Sequence, residues 1–413
     1  MTGIGISGDI MYVLIFIALY FEVFMLVSFL EKRSGRIAAR QADASAVFTP
    51  RTCIVVPCFN EKLSLSTTLD SILALNYPRD MLEIIVVDDG STDKTLAIAR
   101  QYESNEQVRI FHKENGGKHS ALNLALAHTD AELIGCLDAD STVDSEALMR
   151  IVSAFRNQEI SAVTPGIHVK KPENALQHLQ NAEYNFSVFN RFMLAALGSV
   201  FITPGSFSIY RAQVVRDLGG WRHGHFTEDM ELALRMQTNG HKIANAPAAA
   251  VYTATPKTLA ALFRQRVRWT YGFLRNIADY RFMFGNRAYG NLGLIILPTA
   301  LISIGTGIYF FLRIIWDAFN GLSNLLERIQ VTGSFPRPSF DLYFVNTSAL
   351  WFLTYIAIIL VLVLISAGSW ISTGRRMPPS GTPLFIVFYG FLVPFWISTA
   401  VFRALFKTGV KWR

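Results

Sequence analysis

Three cysteines in 413 residues are too few for a disulfide framework, and Cys53, Cys58 and Cys136 have no zinc-site spacing. All three fall in β-rich stretches or at their ends, which reads as reduced core thiol. Lys and Arg are missing ahead of the first apolar run, Ile10 to Leu30, and no small-residue cleavage pattern follows it, so the run reads as an uncleaved anchor rather than a secretory leader. No G-x-G-x-x-G unit occurs in the first strand-turn-helix, and Asn115-Gly-Gly-Lys118 lacks the spacing of a full phosphate-binding loop. Nucleotide hydrolases and dinucleotide oxidoreductases are therefore disfavoured. The sequence shows no internal repeat, no low-complexity tract and no nucleic-acid-binding motif. The net charge of +7 accordingly points to lipid head groups or substrate phosphates, not to nucleic acid.

Charge is also scarce at both ends. Half of the chain is apolar (51%), yet the charged residues concentrate between Lys32 and Arg287, the pattern of a polar domain framed by membrane segments. Ile10 to Leu30 is long enough to cross a bilayer and is interrupted only by Glu22. Lys32, Arg33, Arg36 and Arg40 follow it, which places the central domain on the cytoplasmic side by the positive-inside rule. Three further apolar stretches, Leu292 to Ile315, Leu350 to Ala367 and Leu384 to Leu405, span or nearly span a bilayer. If each crosses once, the loop with Arg375 and Arg376 is cytoplasmic, but the basic tail (Arg403, Lys407, Lys411, Arg413) ends outside. Either the last segment is re-entrant or the tail is an exception.

Four expected units follow: an anchor (1–33), an α/β domain (34–255), amphipathic helices in the membrane interface (256–290) and a C-terminal transmembrane region (291–413). In the second unit Thr52 to Pro57, Glu83 to Val87, Val108 to Phe111 and Leu133 to Leu137 read as strands. They alternate with helix-like segments such as Leu63 to Leu75 and Lys94 to Tyr102. Such alternation predicts a mostly parallel sheet with helices on both faces and ligands at the carboxyl ends of the strands. In the third unit Leu259, Leu262, Phe263, Val267, Phe273 and Ile277 give a helical apolar stripe within a basic segment.

Polar clusters stand where ligands are expected. Pro57-Cys-Phe-Asn-Glu61 and Asp88-Asp-Gly-Ser91 each end a strand, and two adjacent carboxylates in such a place need a cation or ligand nearby. The structural explanation is a turn with Ser91 or Thr92 capping the helix from Lys94. Asp138-Ala-Asp140 follows the next strand, where a turn brings both carboxylates to one divalent ion. Thr227-Glu-Asp229 opens a helix, with Thr227 a ready N-cap and the acids complementing the dipole; a carboxylate there is equally placed to take a proton from an acceptor hydroxyl. In Gln265-Arg-Val-Arg-Trp269, Gln265, Arg268 and Trp269 share one helical face. They present an amide, a guanidinium suited to pyrophosphate and an aromatic face suited to a sugar; the bland alternative is a basic interfacial helix with Trp at head-group depth.

Taken in order, these four motifs resemble the series of the processive family 2 glycosyltransferases, the group of cellulose, chitin, hyaluronan and poly-N-acetylglucosamine synthases. The likeness runs from about Thr52 to Arg275 and into the flanking apolar pattern. It implies a GT-A-type domain inserted between transmembrane helices. It also implies a metal-dependent, inverting hexosyltransferase that polymerises a UDP-sugar, UDP-N-acetylglucosamine first, into a β-linked polysaccharide, with translocation through the membrane and room for a small membrane partner subunit. On this resemblance Asp88 and Asp89 hold the uridine, with Pro57, Asn60, Glu61 and Lys118 also on the donor side. Asp138 serves ribose, diphosphate and metal, and Asp140 is the main ligand of Mg²⁺ or Mn²⁺. Asp229, with Glu228 beside it, is the general base. Gln265, Arg268 and Trp269 close over the diphosphate, and Gly205, Ser206 and Trp269 border the acceptor. The competing readings are a transferase that adds one sugar to a membrane lipid and an inactive scaffold.

Overall fold

The computed structural model describes residues 5–39, 48–335 and 348–406. Arg40, Lys407, Lys411 and Arg413, four of the basic residues used above to orient the chain, lie outside the described residues. The chain opens with α1 (Gly5–Ala39). The central part then runs β1 (Thr52–Cys58), α2 (Leu65–Leu73), β2 (Leu82–Asp88), α3 (Thr95–Arg100), β3 (Val108–His112), α4 (Lys118–Ala127), β4 (Leu133–Cys136), β5 (Ser141–Val143), α5 (Ala147–Val152) and β6 (Ile160–Val169). It continues through α6 (Ala175–Ala196), β7 (Ser208–Arg211), α7 (Ala212–Asp217), α8 (Glu228–Thr238), β8 (Lys242–Thr253) and α9 (Leu259–Asp279). The helices α10 (Leu297–Thr332), α11 (Ala349–Thr373) and α12 (Thr382–Phe406) complete the described chain.

The eight strands form one sheet in the order β3-β2-β1-β4-β7-β6-β8-β5. The four strands read from the sequence make its parallel half, with β1 between β2 and β4. They are buried on both faces, as continuous apolar runs require. Ile54, Val56, Ile84 and Val86 face Leu65, Leu69 and Ile72 of α2, whereas Cys53, Val55, Ile85 and Val87 face Ala121, Leu122 and Ala125 of α4. All three cysteines are buried free thiols. The other half is mixed: β7 runs antiparallel to both β4 and β6, and β5 is antiparallel to β8.

Two long elements differ from the sequence reading. Helix α6 carries its N-cap in Asn174, whose side chain accepts from the Gln177 N–H at 2.9 Å. One side of it lies along the sheet, and the other is enclosed by α1, α11 and α12 through Phe189, Phe192 and Ala182. Gly368 permits α11 to approach α6 closely, because a Cβ there would collide with the Asn185 carbonyl of α6. Helix α10 was expected to stop near Ile315 but continues to Thr332. Nothing in Asp317 to Thr332 forbids helix, and the helix ends at Gly333 in the left-handed conformation that glycine adopts freely. At 1.5 Å per residue α10 is about 54 Å long, well beyond a bilayer core of about 30 Å.

Four helical stretches, Ile10–Glu31, Leu292–Thr332, Ala349–Thr373 and Thr382–Phe406, are long and apolar enough to cross a membrane. The last, with Pro394 inside it, is one continuous helix and not a broken hairpin.

Candidate active site

The site is assembled at the carboxyl ends of β1, β2 and β4 and on the loops preceding β7 and α8. Backbone strain gathers there. Among the described residues five non-glycines have φ in the left-handed range, and four of them, Asn60, Phe207, His225 and Phe226, sit in these loops. Such conformations cost free energy and persist where the surroundings impose them. Phe207, for example, is fully buried and donates its N–H to the Cys136 carbonyl at 2.6 Å, which pins the loop 203–207 to the end of β4.

The first subsite holds the acids after β2. Both are buried and partnered: Asp88 meets His112 Nδ1 at 2.7 Å, and Asp89 receives Lys113 Nζ at 2.6 Å and the N–H groups of Gly116 and Gly117 at 3.0 and 2.8 Å. The cation that this pair requires thus comes from the chain itself, and Asp89 shapes the loop 113–117. The capping roles considered for Ser91 and Thr92 are not observed. Ser91 Oγ accepts from the Asn60 N–H at 2.9 Å, and the Thr92 N–H donates to Asn60 Oδ1 at 2.9 Å. These bonds tie the loop after β1 to the loop after β2, so Pro57, Asn60 and Glu61 stand beside Asp88 and Asp89.

The second subsite is centred on Lys118, the first residue of α4. Its Nζ lies 2.5 Å from Asp138 Oδ1 and 3.4 Å from Glu228 Oε1, while Ser206 Oγ donates to Asp138 Oδ2 at 2.8 Å. A side chain at Gly205 would occupy the place of the Lys118 ammonium and lie 3.4 Å from Asp138 Oδ1, so any larger residue there must displace the end of Lys118. Burial pushes the Asp138 carboxyl up, but Lys118, Ser206 and Arg268 outweigh it and hold the group below the ordinary carboxylate range. Asp140 differs. Burial, then Asp138 and Glu61, push its pKa up to about 6, and its hydroxyl partner is Ser141 at 3.1 Å.

Asp229 lies in the first turn of α8, and its backbone carbonyl accepts from Thr203 Oγ1 at 2.8 Å. Thr227 does not cap this helix with its side chain. It donates to the Gly224 carbonyl and accepts from Asn276 Nδ2 of α9 at 2.8 Å. The loop carrying the acids is therefore held by α9. Burial, followed by the neighbouring Glu228, pushes Asp229 up to about 7, against the opposing pull of Lys118. His119 stands between the two subsites, where burial and His223 lower its pKa while Glu228 and Asp89 act in the opposite direction.

On α9 the residue that organises the Gln265 to Trp269 motif is one the sequence reading passed over. Arg266 is 4% exposed; it donates to Glu183 Oε2 of α6 at 2.7 Å and to Gln265 Oε1 at 3.3 Å, and its guanidinium lies 4.4 Å from the centre of the Trp269 ring. Arg268 is close enough to Asp138 to lower its pKa. Trp269 remains 39% exposed. The same reading also missed Lys113 and Thr203. Only the place of Lys113, directly after β3, gives a local signal.

Residues 50–272 match the model of the family described as "Glycosyltransferase like family 2". The chain belongs to this family. Among curated relatives of this family 2 glycosyltransferase is the poly-beta-1,6-N-acetyl-D-glucosamine synthase of Staphylococcus epidermidis, 29% identical over 264 residues, which are 62% of this chain and 63% of that protein. The synthase of the same name from Staphylococcus aureus (strain COL) is 28% identical over 262 residues, with the same coverage of each chain. The match thus spans about 63% of the length of these relatives. Among solved structures, a mannosyltransferase from Pyrobaculum calidifontis in complex with GDP-Man and Mn²⁺ superposes with a TM-score of 0.55 at 19% identity, covering 96% of this chain and 99% of that one. This likeness establishes the GT-A-like fold of the glycosyltransferase, a mixed, mostly parallel sheet framed by helices apolar enough for a membrane.

The acidic residues fit a divalent cation. Asp140 is a half-buried carboxyl next to Asp138, and burial, Asp138 and Glu61 outweigh the pull of Lys118 on it. Among the described residues no set of three or more His, Cys, Asp or Glu is placed to hold a metal ion. A two-carboxylate site suits an ion that takes its remaining ligands from a diphosphate and water, as Mg²⁺ does in phosphate-handling enzymes.

Proposed function

We propose that this protein is a membrane-embedded inverting glycosyltransferase that polymerises a UDP-sugar, with UDP-N-acetylglucosamine the first donor to test, into a β-linked polysaccharide. The observation that carries this reading is Asp229: a carboxyl raised to about 7, in a recess shared with Lys118 and Asp138, on a loop fixed by the helix that bears Trp269.

In this reading Asp88, Asp89, Pro57, Asn60 and Glu61 receive the uridine. Asp140 and Asp138 hold Mg²⁺ or Mn²⁺, which supplies charge neutralisation for the departing diphosphate. Lys118, Gln265 and Arg268 add positive charge and hydrogen bonds on the same side, where the leaving group gains its negative charge. Gly205, Ser206 and Trp269 border the acceptor. Asp229 takes the proton of the acceptor hydroxyl as that oxygen attacks the anomeric carbon from the face opposite the diphosphate; the C–O bond to the diphosphate breaks, and the configuration inverts from α to β. A base with a pKa near 7 is ionised enough to accept a proton and basic enough to pull it. Burial and then the negative charge of Glu228 keep that pKa high, while Lys118 prevents it from rising further.

The relatives' printed names support a polysaccharide product, and the four apolar helical stretches support a multi-pass membrane protein. The basic residues after Ile10 to Leu30 support a catalytic domain on the cytoplasmic side. Membranes containing the protein, incubated with labelled UDP-N-acetylglucosamine, are expected to yield a polymer resolved by size and cleaved by β-specific hydrolases. A solvent-extractable lipid carrying one sugar would overturn polymerisation in favour of single transfer.

A further inference from the structure

Helix α10 carries an apolar seam that the mechanism above does not use. Leu312, Ile315, Phe319, Leu322, Leu326 and Ile329 follow one another at alternating spacings of three and four residues. That period of about 3.5 residues belongs to a coiled-coil seam, not to an isolated straight helix at about 3.6. In its register Leu312, Phe319 and Leu326 take the a positions, and Ile315, Leu322 and Ile329 the d positions. The four charged residues of α10 all lie elsewhere: Arg313 and Glu327 at b, Arg328 at c and Asp317 at f, with Arg313 donating to Asp317 at 2.8 Å. The flanking e and g positions are uncharged too, with Trp316, Ser323 and Gln330 at e and Ala318 and Leu325 at g.

From Leu312 to Leu326 the members of the seam are 50–65% exposed. The neighbouring α12 takes a different side of α10: Ile397 lies against Gly307, and Phe395 meets Phe311 with ring centres 5.4 Å apart. Lipid tails reach only part of the seam. The chain enters α10 against the catalytic domain, where Leu292, Ile296 and Leu297 pack with Met230 and Leu234 of α8 and Ile277 of α9. From there, Leu297 to Trp316 already covers about 30 Å, the thickness of a bilayer core. Even at a tilt of about 40°, the upper end for membrane helices, the whole of α10 rises about 41 Å. Its last turns, with Leu326 and Ile329, therefore stand beyond the hydrocarbon on the side opposite the catalytic domain. In water a row of large apolar side chains calls for a surface to cover it.

The occupant that fits is α10 of another copy. Every copy inserts with the same orientation, so α10 helices in one membrane are parallel and their a and d residues meet in register. A seam that selects a foreign helix carries complementary charges at e and g or a polar residue at a. This one carries neither, and identical copies meet without like-charge repulsion. Leu312 and Leu326 at a, with Ile315 and Ile329 at d, is the arrangement that favours trimers and tetramers over dimers. We propose that copies of this chain assemble through α10 into a parallel trimer or tetramer, with the residues from Leu312 to Ile329 interlocked along its axis. No residue of the transfer site takes part, so the assembly is independent of which sugar is transferred and of whether transfer is repeated.

The full chain carrying Leu322→Cys, at d, is treated in membranes with a short bis-maleimide; the natural thiols Cys53, Cys58 and Cys136 are buried. A band of twice the chain mass is expected, and Asn324→Cys, at f on the outer side, should lose it. In mild detergent the wild type should weigh as a trimer or tetramer by native mass spectrometry, and Phe319→Asp combined with Leu326→Asp should shift it to the single chain. The same charge placed off the seam, in Asn320→Asp combined with Asn324→Asp, should leave the assembly intact. The crosslink decides the matter even if the doubly substituted seam fails to fold. A wild type that weighs as a single chain while Leu322→Cys gives no linked band overturns the proposal. So does a Leu322→Cys chain linked only to a different protein, or an assembly that survives Phe319→Asp with Leu326→Asp. Sugar transfer enters none of these readings.

Discussion

The ammonium of Lys118 and the carboxylate of Asp138 form a 2.5 Å ion pair that joins the start of α4 to the end of β4, with Glu228 of α8 3.4 Å away on the other side. One cation thus bridges Asp138 and the helix that bears Asp229, the proposed base. Lys118→Met should leave Asp138 and Glu228 unneutralised and reduce turnover by about 100-fold, the scale of losing one stabilising charge in an enclosed site. Gly205→Ala should act through the same pair, because its methyl group competes with the Lys118 ammonium. A loss of about tenfold at unchanged melting temperature is expected, since the end of a lysine can shift. Full activity in Lys118→Met would remove this pair from the mechanism.

Asp229 sets a pH dependence with a definite sign. As the proposed base Asp229 acts when ionised, and burial, followed by Glu228, raises its pKa to about 7. The initial rate at limiting acceptor should therefore climb as pH rises through about 7 and level off above it. Asp229→Asn should lower turnover by about 10²- to 10⁴-fold and flatten that limb while UDP binding, measured by calorimetry, persists. A limb centred in the ordinary carboxylate range would assign the proton transfer to another group.

The strands were legible in the sequence because β1 and β2 are buried on both faces and so read as unbroken apolar runs, and the motif residues were legible because they end those strands. What escaped is set by distance along the chain. The antiparallel pairing of β7 with β4 depends on Gly135 meeting Ile209 side by side, a contact with no local signature. Lys118 finds Asp138 twenty residues on, and Arg266 finds Glu183 across 83 residues, so neither pair leaves a periodic trace. Helical periodicity did place Gln265, Arg268 and Trp269 on one face, but it does not say which residue of the motif is buried. That residue is Arg266, fixed by an acid on α6, a helix the pattern reading had not identified. The extent of α10 escaped for a different reason: hydropathy ends near Ile315, whereas helix propensity does not.

The Arg266 and Glu183 pair carries its own test. Both side chains are largely enclosed, 5% and 18% exposed, and Trp269 stacks on the guanidinium. Glu183→Gln leaves a buried charge without a counter-ion and should destabilise the protein by about 3–5 kcal/mol, seen as a lower melting temperature in detergent. Replacing both residues at once with Leu and Met should cost less than the sum of the single changes, since no orphan charge remains. Arg266→Lys keeps the charge but loses the planar stack, and it should raise the acceptor KM more than the donor KM. Equal effects on both would mean that the pair braces α9 as a whole and not Trp269.

The cation requirement can be read without following the reaction. Burial, Asp138 and Glu61 raise the folded-state pKa of Asp140 to about 6, above its ordinary value. A carboxyl raised in this way contributes its full stability below the unfolded-state pKa and loses it as pH climbs through about 6, where the folded protein must carry an unfavourable negative charge. A divalent ion offsets that charge only once Asp140 is ionised. Added Mn²⁺ or Mg²⁺ should therefore raise the melting temperature clearly near pH 7.5 and hardly at all near pH 5, where Asp140 is mostly protonated. Asp140→Asn should abolish the ion-dependent shift while raising the melting temperature of the ion-free protein at neutral pH, because the unfavourable charge is gone. Chelator should stop sugar transfer and Mn²⁺ should restore it. An ion-induced shift of equal size at both pH values, or one that survives in Asp140→Asn, would place the ion elsewhere.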